Sequence, residues 1–406
     1  LPQVRLHGKL TGRVWVYTPI GFQVAFASQR SVRISPSLPA WFSVTVDSLM
    51  NTAKQASSIG KTFIDYFLPT PIVGSLAENA WGEPGVVHRD QSNGLEDPTI
   101  KKYCYWDGGI IQGLDGRYHM FASRWDQDHN GHDGWYDSLA VHAVSDNVLG
   151  PYVDKGLCWP NDSGGKGHNV FPLVLHDGTF AIVVSDTRPG DVFVSTSLDG
   201  PWTYKGQISA VKNQFSHLAI PTNVCLIPRH DGGYQIIARS GAVWISKDDV
   251  LGPYTVQGPD IFTDLIAITS HARNRLEDPV IWQSGGLYHV VANVWDDRKA
   301  YHLTSSNGIN QWTFRGLAYD PRIDFVRYTN GSVDRWNKLE RLNVFMEDGH
   351  VAYVLLSVVD IDKDDELSND NHGSKVIVIP FDGRALDRDL AAREDEGNQL
   401  KGTGIS

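Results

Sequence analysis

Apolar residues in this chain come in short β-branched runs that stop at a glycine-containing turn and then resume, and the pattern recurs along most of its length. One copy runs from Asp107 through Asp115-Gly116 to Tyr118. A second runs from Asn169 through Asp177-Gly178 to Phe180. The third spans Asn223 to Tyr234 across Asp231-Gly232-Gly233, and the fourth spans Asp278 to Tyr288 across Gly285-Gly286. The fifth runs from Arg341 through Asp348-Gly349 to Val351. Asp-Gly and Gly-Gly supply the positive φ that tight hairpins require, so each copy predicts two antiparallel strands. A third apolar run follows each pair: Leu139–Val144, Val192–Thr196, Ala242–Ser246, Ala300–Thr304 and Lys375–Pro380.

After the third run comes a second recurring turn that ends in an aromatic residue. Its copies are Leu149-Gly150-Pro151-Tyr152, Asp199-Gly200-Pro201-Trp202, Leu251-Gly252-Pro253-Tyr254 and Ile309-Asn310-Gln311-Trp312. Proline suits the start of an outer edge strand, where a missing N–H costs nothing. The unit is therefore a four-stranded antiparallel blade with a period of roughly 55–60 residues, and the fold class is all-β: a five-bladed β-propeller.

The fifth copy lacks its aromatic outer strand, which a strand from the N-terminus, Gln3–Leu10 or Val14–Tyr17, is expected to supply. Residues 39–79 do not carry the repeat. Ser48–Phe67 has some helical periodicity and reads as an insertion, although degenerate blades hidden there would raise the count to six or seven. The expected organisation is an N-terminal extension over 1–96, a propeller over 97–385 and a charged tail over 386–406.

A net charge of -11 argues against nucleic acid, whose backbone demands basic patches. No apolar run approaches the roughly 18–20 residues of a membrane-spanning helix, so no membrane partner is expected. Three cysteines, Cys104, Cys158 and Cys225, make neither a metal cluster nor a disulfide framework; of the possible pairs, Cys104–Cys158 is favoured. The chain opens on Leu1 rather than Met, which fits a processed or trimmed N-terminus. The acceptor triplets beginning at Asn161 and Asn330 suit a secreted glycoprotein. The acidic stretch Asp360–Asp370 offers carboxylates for a structural calcium ion but lacks the spacing of a calcium loop and reads as a solvated loop; no cofactor is required. Thirteen tryptophans serve equally as sugar-stacking platforms and as core. An oligosaccharide or polysaccharide is the expected partner, met by a monomer.

The innermost strand of each blade lines the propeller channel, so its first residues ring one mouth. The repeat aligns Asp107, Asn169, Asn223, Asp278 and Arg341 there, each preceded by Trp106, His168, Thr222, Glu277 or Glu340. Polar residues before a strand are ordinary turn chemistry, but carboxylates facing a narrow channel repel each other and cost stability, which favours function. Asp107, between Trp106 and two glycines, is the leading general base. Glu277 and Asp278 are its leading acid partners, placed to face it across a sugar at the roughly 6.5–9.5 Å of an inverting hydrolase. Glu340 competes for the acid role, or else forms a salt bridge holding Arg341. His168 can serve as acid or base. Arg124, Trp125, Asp186, Arg188, Arg239, Trp295, Asp297 and Arg298 stand at the ends of second strands, which return to the same mouth, and with Trp106, Asn169, Asn223 and Arg341 they are the expected substrate contacts. Arg239, amid small residues, has room to meet a carboxylate.

The segment Glu277-Asp278-Pro279-Val280-Ile281 with Gly285-Gly286-Leu287-Tyr288-His289, together with Ser197-Leu198-Asp199-Gly200-Pro201-Trp202, resembles the five-bladed propeller glycoside hydrolases around family 43. That group includes arabinan- and xylan-active enzymes and the related anhydrogalactosidases, and the likeness runs from about Asp97 to Gly383. It implies three channel carboxylates: a base on the first blade, a pKa-setting Asp on the second and an acid Glu on the third. Asp107 matches the first, but Asn169 and Asn223 hold the other two positions, so Glu277, Asp278, Glu340 or His168 must take over. The expected activity is a secreted exo-acting glycoside hydrolase. The alternatives are a polysaccharide lyase, with His168 as base and Arg239 neutralising a uronate, and a non-catalytic carbohydrate-binding propeller.

Overall fold

The computed structural model describes residues 13–18, 21–28, 31–33, 60–77, 88–99, 101–362 and 373–402. They fall into two compact units, Leu1–Gly60 and Lys61–Ser406. In the first unit β1 (Arg13–Thr18), β2 (Gly21–Ser28) and β3 (Ser31–Arg33) form an antiparallel sheet of their own. Val14–Tyr17, a candidate ring-closing strand, pairs there with Phe22–Ala25. The other candidate, Gln3–Leu10, lies outside the described residues.

The second unit is a ring of five antiparallel sheets. Blade 1 comprises β4 (Tyr103–Gln112), β5 (Tyr118–Asp126), β6 (Leu139–Ser145) and β7 (Val153–Leu157). Blade 2 comprises β8 (His168–Val174), β9 (Phe180–Asp186), β10 (Asp191–Ser195) and β11 (Thr203–Gln207). Blade 3 has β12 (Cys225–Pro228), β13 (Tyr234–Ile237), β14 (Val243–Ser246) and β15 (Thr255–Val256). Blade 4 has β16 (Leu276–Ser284), β17 (Leu287–Val294), β18 (Lys299–Ser305) and β19 (Thr313–Tyr319), and blade 5 has β20 (Lys338–Glu347), β21 (His350–Val359) and β22 (Ser374–Pro380). Each innermost strand packs against the next, and β20 returns to β4 to close the circle. The apolar cores lie between neighbouring blades, as face-to-face sheet packing requires.

The open edge of β22 is covered by Leu68, Asn93 and Leu95. Leu95 exchanges both backbone hydrogen bonds with Val376, at 2.9 and 3.0 Å, and the Leu68 N–H donates to Pro380 O at 2.9 Å. Between them the Asn93 side chain imitates a strand residue: its Nδ2 donates to Val378 O at 2.8 Å, and its Oδ1 accepts the Val378 N–H at 3.0 Å. Lys375, wholly buried, donates to Glu96 and to Asp90 O, and Glu96 also holds Arg89. The described residues 61–77 and 88–96, read from the sequence as part of an extension, thus belong to the propeller unit.

The charged C-terminal residues also have a structural place. Gly383–Gly402 forms a helix, α2, while a shorter one, α1 (Phe262–Thr269), sits between blades 3 and 4. Leu386 and Leu390 of α2 are buried in the core of blades 4 and 5, and Asp387 accepts hydrogen bonds from Ser284 Oγ and His350 Nδ1. The favoured disulfide does not form. All three cysteines are free and buried; Cys104 lies on the innermost strand and Cys158 just beyond the outermost one, about 14 Å apart at ordinary strand spacing. Of the acidic stretch proposed for calcium, residues 363–370 lie outside the described residues.

Two predictions come from these contacts. Asn93→Ala strips a buried N–H and a buried C=O of their partners, each worth about 1–3 kcal/mol, and should lower the urea unfolding midpoint clearly. His289 and His302, stacked under Trp282 with Nδ1 and Nε2 3.0 Å apart, are held neutral by burial: His289 is pushed down to about 4 and His302 well below its usual value. Because the folded-state values are depressed, their contribution is fully present above about pH 6.5 and is lost as pH falls toward 4. Unfolding midpoints at pH 7 and 4.5 should differ accordingly, and less so in His302→Phe.

Candidate functional site

All five positions that the repeat aligned share one backbone state. Asp107 has φ 66°, Asn169 55°, Asn223 44°, Asp278 49° and Arg341 50°. In the left-handed region asparagine and aspartate are the least strained of the residues that carry a Cβ. At three of the five the ladder register shifts, between Trp106 and Gly109, Glu277 and Val280, and Glu340 and Asn343. The innermost strands of blades 1, 4 and 5 therefore carry a bulge at the mouth end, which re-aims the side chain out of the sheet's alternation.

At the centre sits Arg341. Its Nε donates to Asp107 Oδ1 at 2.9 Å and its Nη1 to Asp278 Oδ1 at 2.7 Å, with all three residues buried. The second oxygen of Asp107 accepts from Ser123 Oγ, and the Ser123 oxygen in turn accepts the Asn169 N–H at 3.1 Å. Burial pushes the Asp107 carboxyl up, opposed by Arg341, Ser123 and the Val170 N–H, while the carboxylates around Arg341 raise its pKa despite burial.

A cavity of about 200 Å³ opens at this mouth, lined by Trp106, His132, Trp135, His168, Asn169, Asp186, Asn223, Arg239, Glu277, Asp278 and Glu340. Asp186, the last residue of β9, is clasped from two blades: the Nδ2 groups of Asn169 and Asn223 both donate to its Oδ2. That leaves the Oδ1 atoms of both asparagines buried with no hydrogen-bond partner among the described residues. Burial pushes Asp186 up, helped by the charges of Asp278 and Asp107 and opposed by Arg341 and the Asn169 amide. Across the cavity Glu277 lies 3.4 Å from Arg239 Nη2 and accepts from Asn293 Nδ2. Carboxylate oxygens of Glu277, Asp278 and Glu340 lie within 4.8 Å of one another. His168 Nδ1 is 2.8 Å from Ser138 Oγ, whose own hydrogen goes to Gly167 O. Ser138 therefore accepts from Nδ1–H, which makes Nε2 the basic nitrogen of the neutral ring.

The structure separates the expected site residues into three groups. Trp106, His168, Asn169, Asp186, Asn223, Arg239, Glu277, Asp278 and Glu340 converge on the cavity. Asp107 and Arg341 form the buried pair behind it. Glu340 does not hold Arg341: its partner is Lys338 Nζ at 2.6 Å, because Arg341 is engaged by the two aspartates. Arg124 turns away to Asp154 and the Tyr103 ring, in a separate groove. Trp125 is buried, donating from Nε1 to Gly131 O, and Arg188 is consumed by Asp162 and Asp191. Trp295 is engaged by Arg275 and Lys338, Asp297 pairs with Lys299 and Arg322, and Arg298 donates to Asn337 O. These six do not line the cavity.

Two wall residues lay outside the repeat. His132 and Trp135 come from the 3-10 turn Gly131–Asp137 between β5 and β6, with the Trp135 ring 4.9 Å from His168. The signal was present as an aromatic and histidine-rich insertion that no other blade has between those strands.

No protein-family model matches the sequence, and no curated protein is similar to it. Solved structures are similar in shape. The catalytic domain of a Coprinopsis cinerea family 62 alpha-L-arabinofuranosidase matches with a TM-score of 0.50 at 12% identity, over 77% of this chain and 98% of that one. An alpha-L-arabinofuranosidase from Podospora anserina, solved with cellotriose, matches with a TM-score of 0.50 at 11% identity, over 71% of this chain and 94% of that one. The likeness establishes the fold. At the level of the fold it meets the resemblance to five-bladed glycoside hydrolases read from the sequence.

Removing Arg341 should expose how much rests on it. Arg341→Met leaves two buried carboxylates facing each other and should cost about 3–5 kcal/mol. Adding Asp107→Asn and Asp278→Asn should restore most of that loss in chemical unfolding at pH 7.

Proposed function

We propose that the protein is a glycoside hydrolase that removes single sugar units from the end of a glycan, and that it is secreted. The observation that carries this reading is the clasped carboxyl of Asp186 facing Glu277 across a cavity at the channel mouth. A carboxyl whose pKa is raised by burial suits the acid; a carboxylate beside an arginine suits the base. In the proposed step Asp186 gives its proton to the glycosidic oxygen as the C–O bond breaks. Glu277 takes a proton from the water that attacks the anomeric carbon. Asp107, fully engaged by Arg341 and Ser123, is a positioning residue in this scheme rather than the base.

At about 200 Å³ the cavity is smaller than the roughly 300–1,000 Å³ of drug-sized ligand sites, which supports recognition of one ring rather than a length of chain. The unpaired Oδ1 atoms of Asn169 and Asn223 are acceptors waiting for hydroxyl donors, and Trp135, 38% exposed, offers a stacking face. Exposed Asn161 and Asn330, both in acceptor triplets, support secretion. His168, held at Nδ1 by Ser138, and Arg239 line one cavity, which supports a second reading, a lyase in which His168 takes the proton next to a uronate carboxylate.

Product analysis on a panel of plant and algal oligosaccharides tests both. The hydrolase reading expects a free monosaccharide and a new reducing end, with activity lowered at least ~100-fold in Asp186→Asn and in Glu277→Gln. The basic limb of the kcat/KM profile should also disappear in Asp186→Asn. An unsaturated, ultraviolet-absorbing product lost in His168→Ala would establish the lyase instead, and binding without turnover would overturn both.

A further inference from the structure

A second cluster of ligating side chains lies in blade 1, at the end of the strands away from the cavity. His119 on β5 and His142 on β6 are buried, with His119 Nδ1 2.9 Å from His142 Nε2. The turn of blade 2 brings in exposed Asp199, and one ligand atom from each of the three lies within 4.8 Å of the other two. The far nitrogen of His119, Nε2, faces Asp115 Oδ1 at 3.5 Å, and Asp115 is itself fixed by Arg117. A carboxylate behind one imidazole nitrogen sets the tautomer and turns the other nitrogen into a donor for a metal. Phe121 stacks on the His142 ring at 5.0 Å, with Trp202 edge-on against Phe121, so the second ligand is also held in place.

Blade 4 supplies an internal comparison. His289 and His302 repeat the same pair at 3.0 Å, with Ser284 at the Nε2 of His289, but among the described residues that pair joins no third ligand in such a group. Among the described residues, only the blade 1 pair combines two imidazoles with a solvent-accessible carboxylate.

We propose that His119, His142 and Asp199 form a binding site for a divalent transition metal of the zinc class, joining blades 1 and 2. Two imidazoles and one carboxylate are the donor set of such ions, whereas calcium and magnesium take oxygen ligands. Without the ion, the two rings share a proton across the 2.9 Å contact. The ion takes the place of that proton, which moves to His142 Nδ1 so that both rings bind as neutral imidazoles, and the rings open slightly to admit Zn–N distances of about 2.0–2.1 Å. A water fills the fourth position.

The test is a calorimetric titration of zinc into the untagged, chelator-treated full chain, run in buffers of different ionisation enthalpy. Expected are one zinc ion per chain, a binding heat that does not change with the buffer, a raised thermal midpoint, and a tetrahedral visible spectrum when cobalt is used instead. Asp199→Ala should weaken binding at least tenfold; Asp199 is exposed, so this variant keeps the test valid even where His142→Gln fails to fold. Absence of saturable binding by the native chain, or equal affinity in Asp199→Ala, overturns the site.

Discussion

A single buried guanidinium organises the mouth of this propeller. Five strands of five sheets converge at the channel with Asp107 and Asp278 among the inward side chains, and two enclosed carboxylates cannot both stay charged without a partner. Arg341 supplies it, bridging both at hydrogen-bond distance from the fifth blade. The bridge ties blades 1, 4 and 5 across the channel, and Ser123 extends it to blade 2 through the Asn169 N–H. What lines the cavity is therefore positioned by a charge network that spans the ring, not by any one blade.

That network divides the labour among carboxyls of similar chemistry. Asp107 has every oxygen engaged and acts on its neighbours through charge. Asp186 has a single oxygen held, by two amides from different blades, and lies where burial favours its protonated form. Glu277 stands against a half-exposed arginine on the opposite wall. The two asparagines that break the expected pattern of channel carboxylates thus have a part of their own: they hold Asp186 and present two acceptor oxygens to whatever enters.

The same architecture explains how the ring stays shut. An outer edge left open on blade 5 would be a template for pairing with another chain, and here it is covered piecemeal by Leu68, Asn93 and Leu95. A side-chain amide standing in for a peptide group lets a segment with no strand periodicity close a sheet. Buried Lys375, satisfied by Glu96 and a carbonyl, fixes that segment in place.

The local rules written into the sequence determined the blades. Turn glycines and alternating apolar runs act over a few residues, so hairpins and their repeat were legible, and alignment of the repeat also found the five left-handed channel positions. Which polar residues meet was decided by the tertiary structure, because those contacts join residues from different blades. Arg341 reaches Asp107 and Asp278 rather than adjacent Glu340, and Asp186 rather than Asp107 faces the cavity, because the bulges and the ring closure set side-chain directions. Arg124, Arg188 and Arg298 looked equivalent to Arg239 at strand ends, but each found a partner nearby, and Arg239 alone of the four lines the cavity. Edge closure by Asn93 and the wall residues His132 and Trp135 left no periodic trace, since neither belongs to the repeat from which the fold was read.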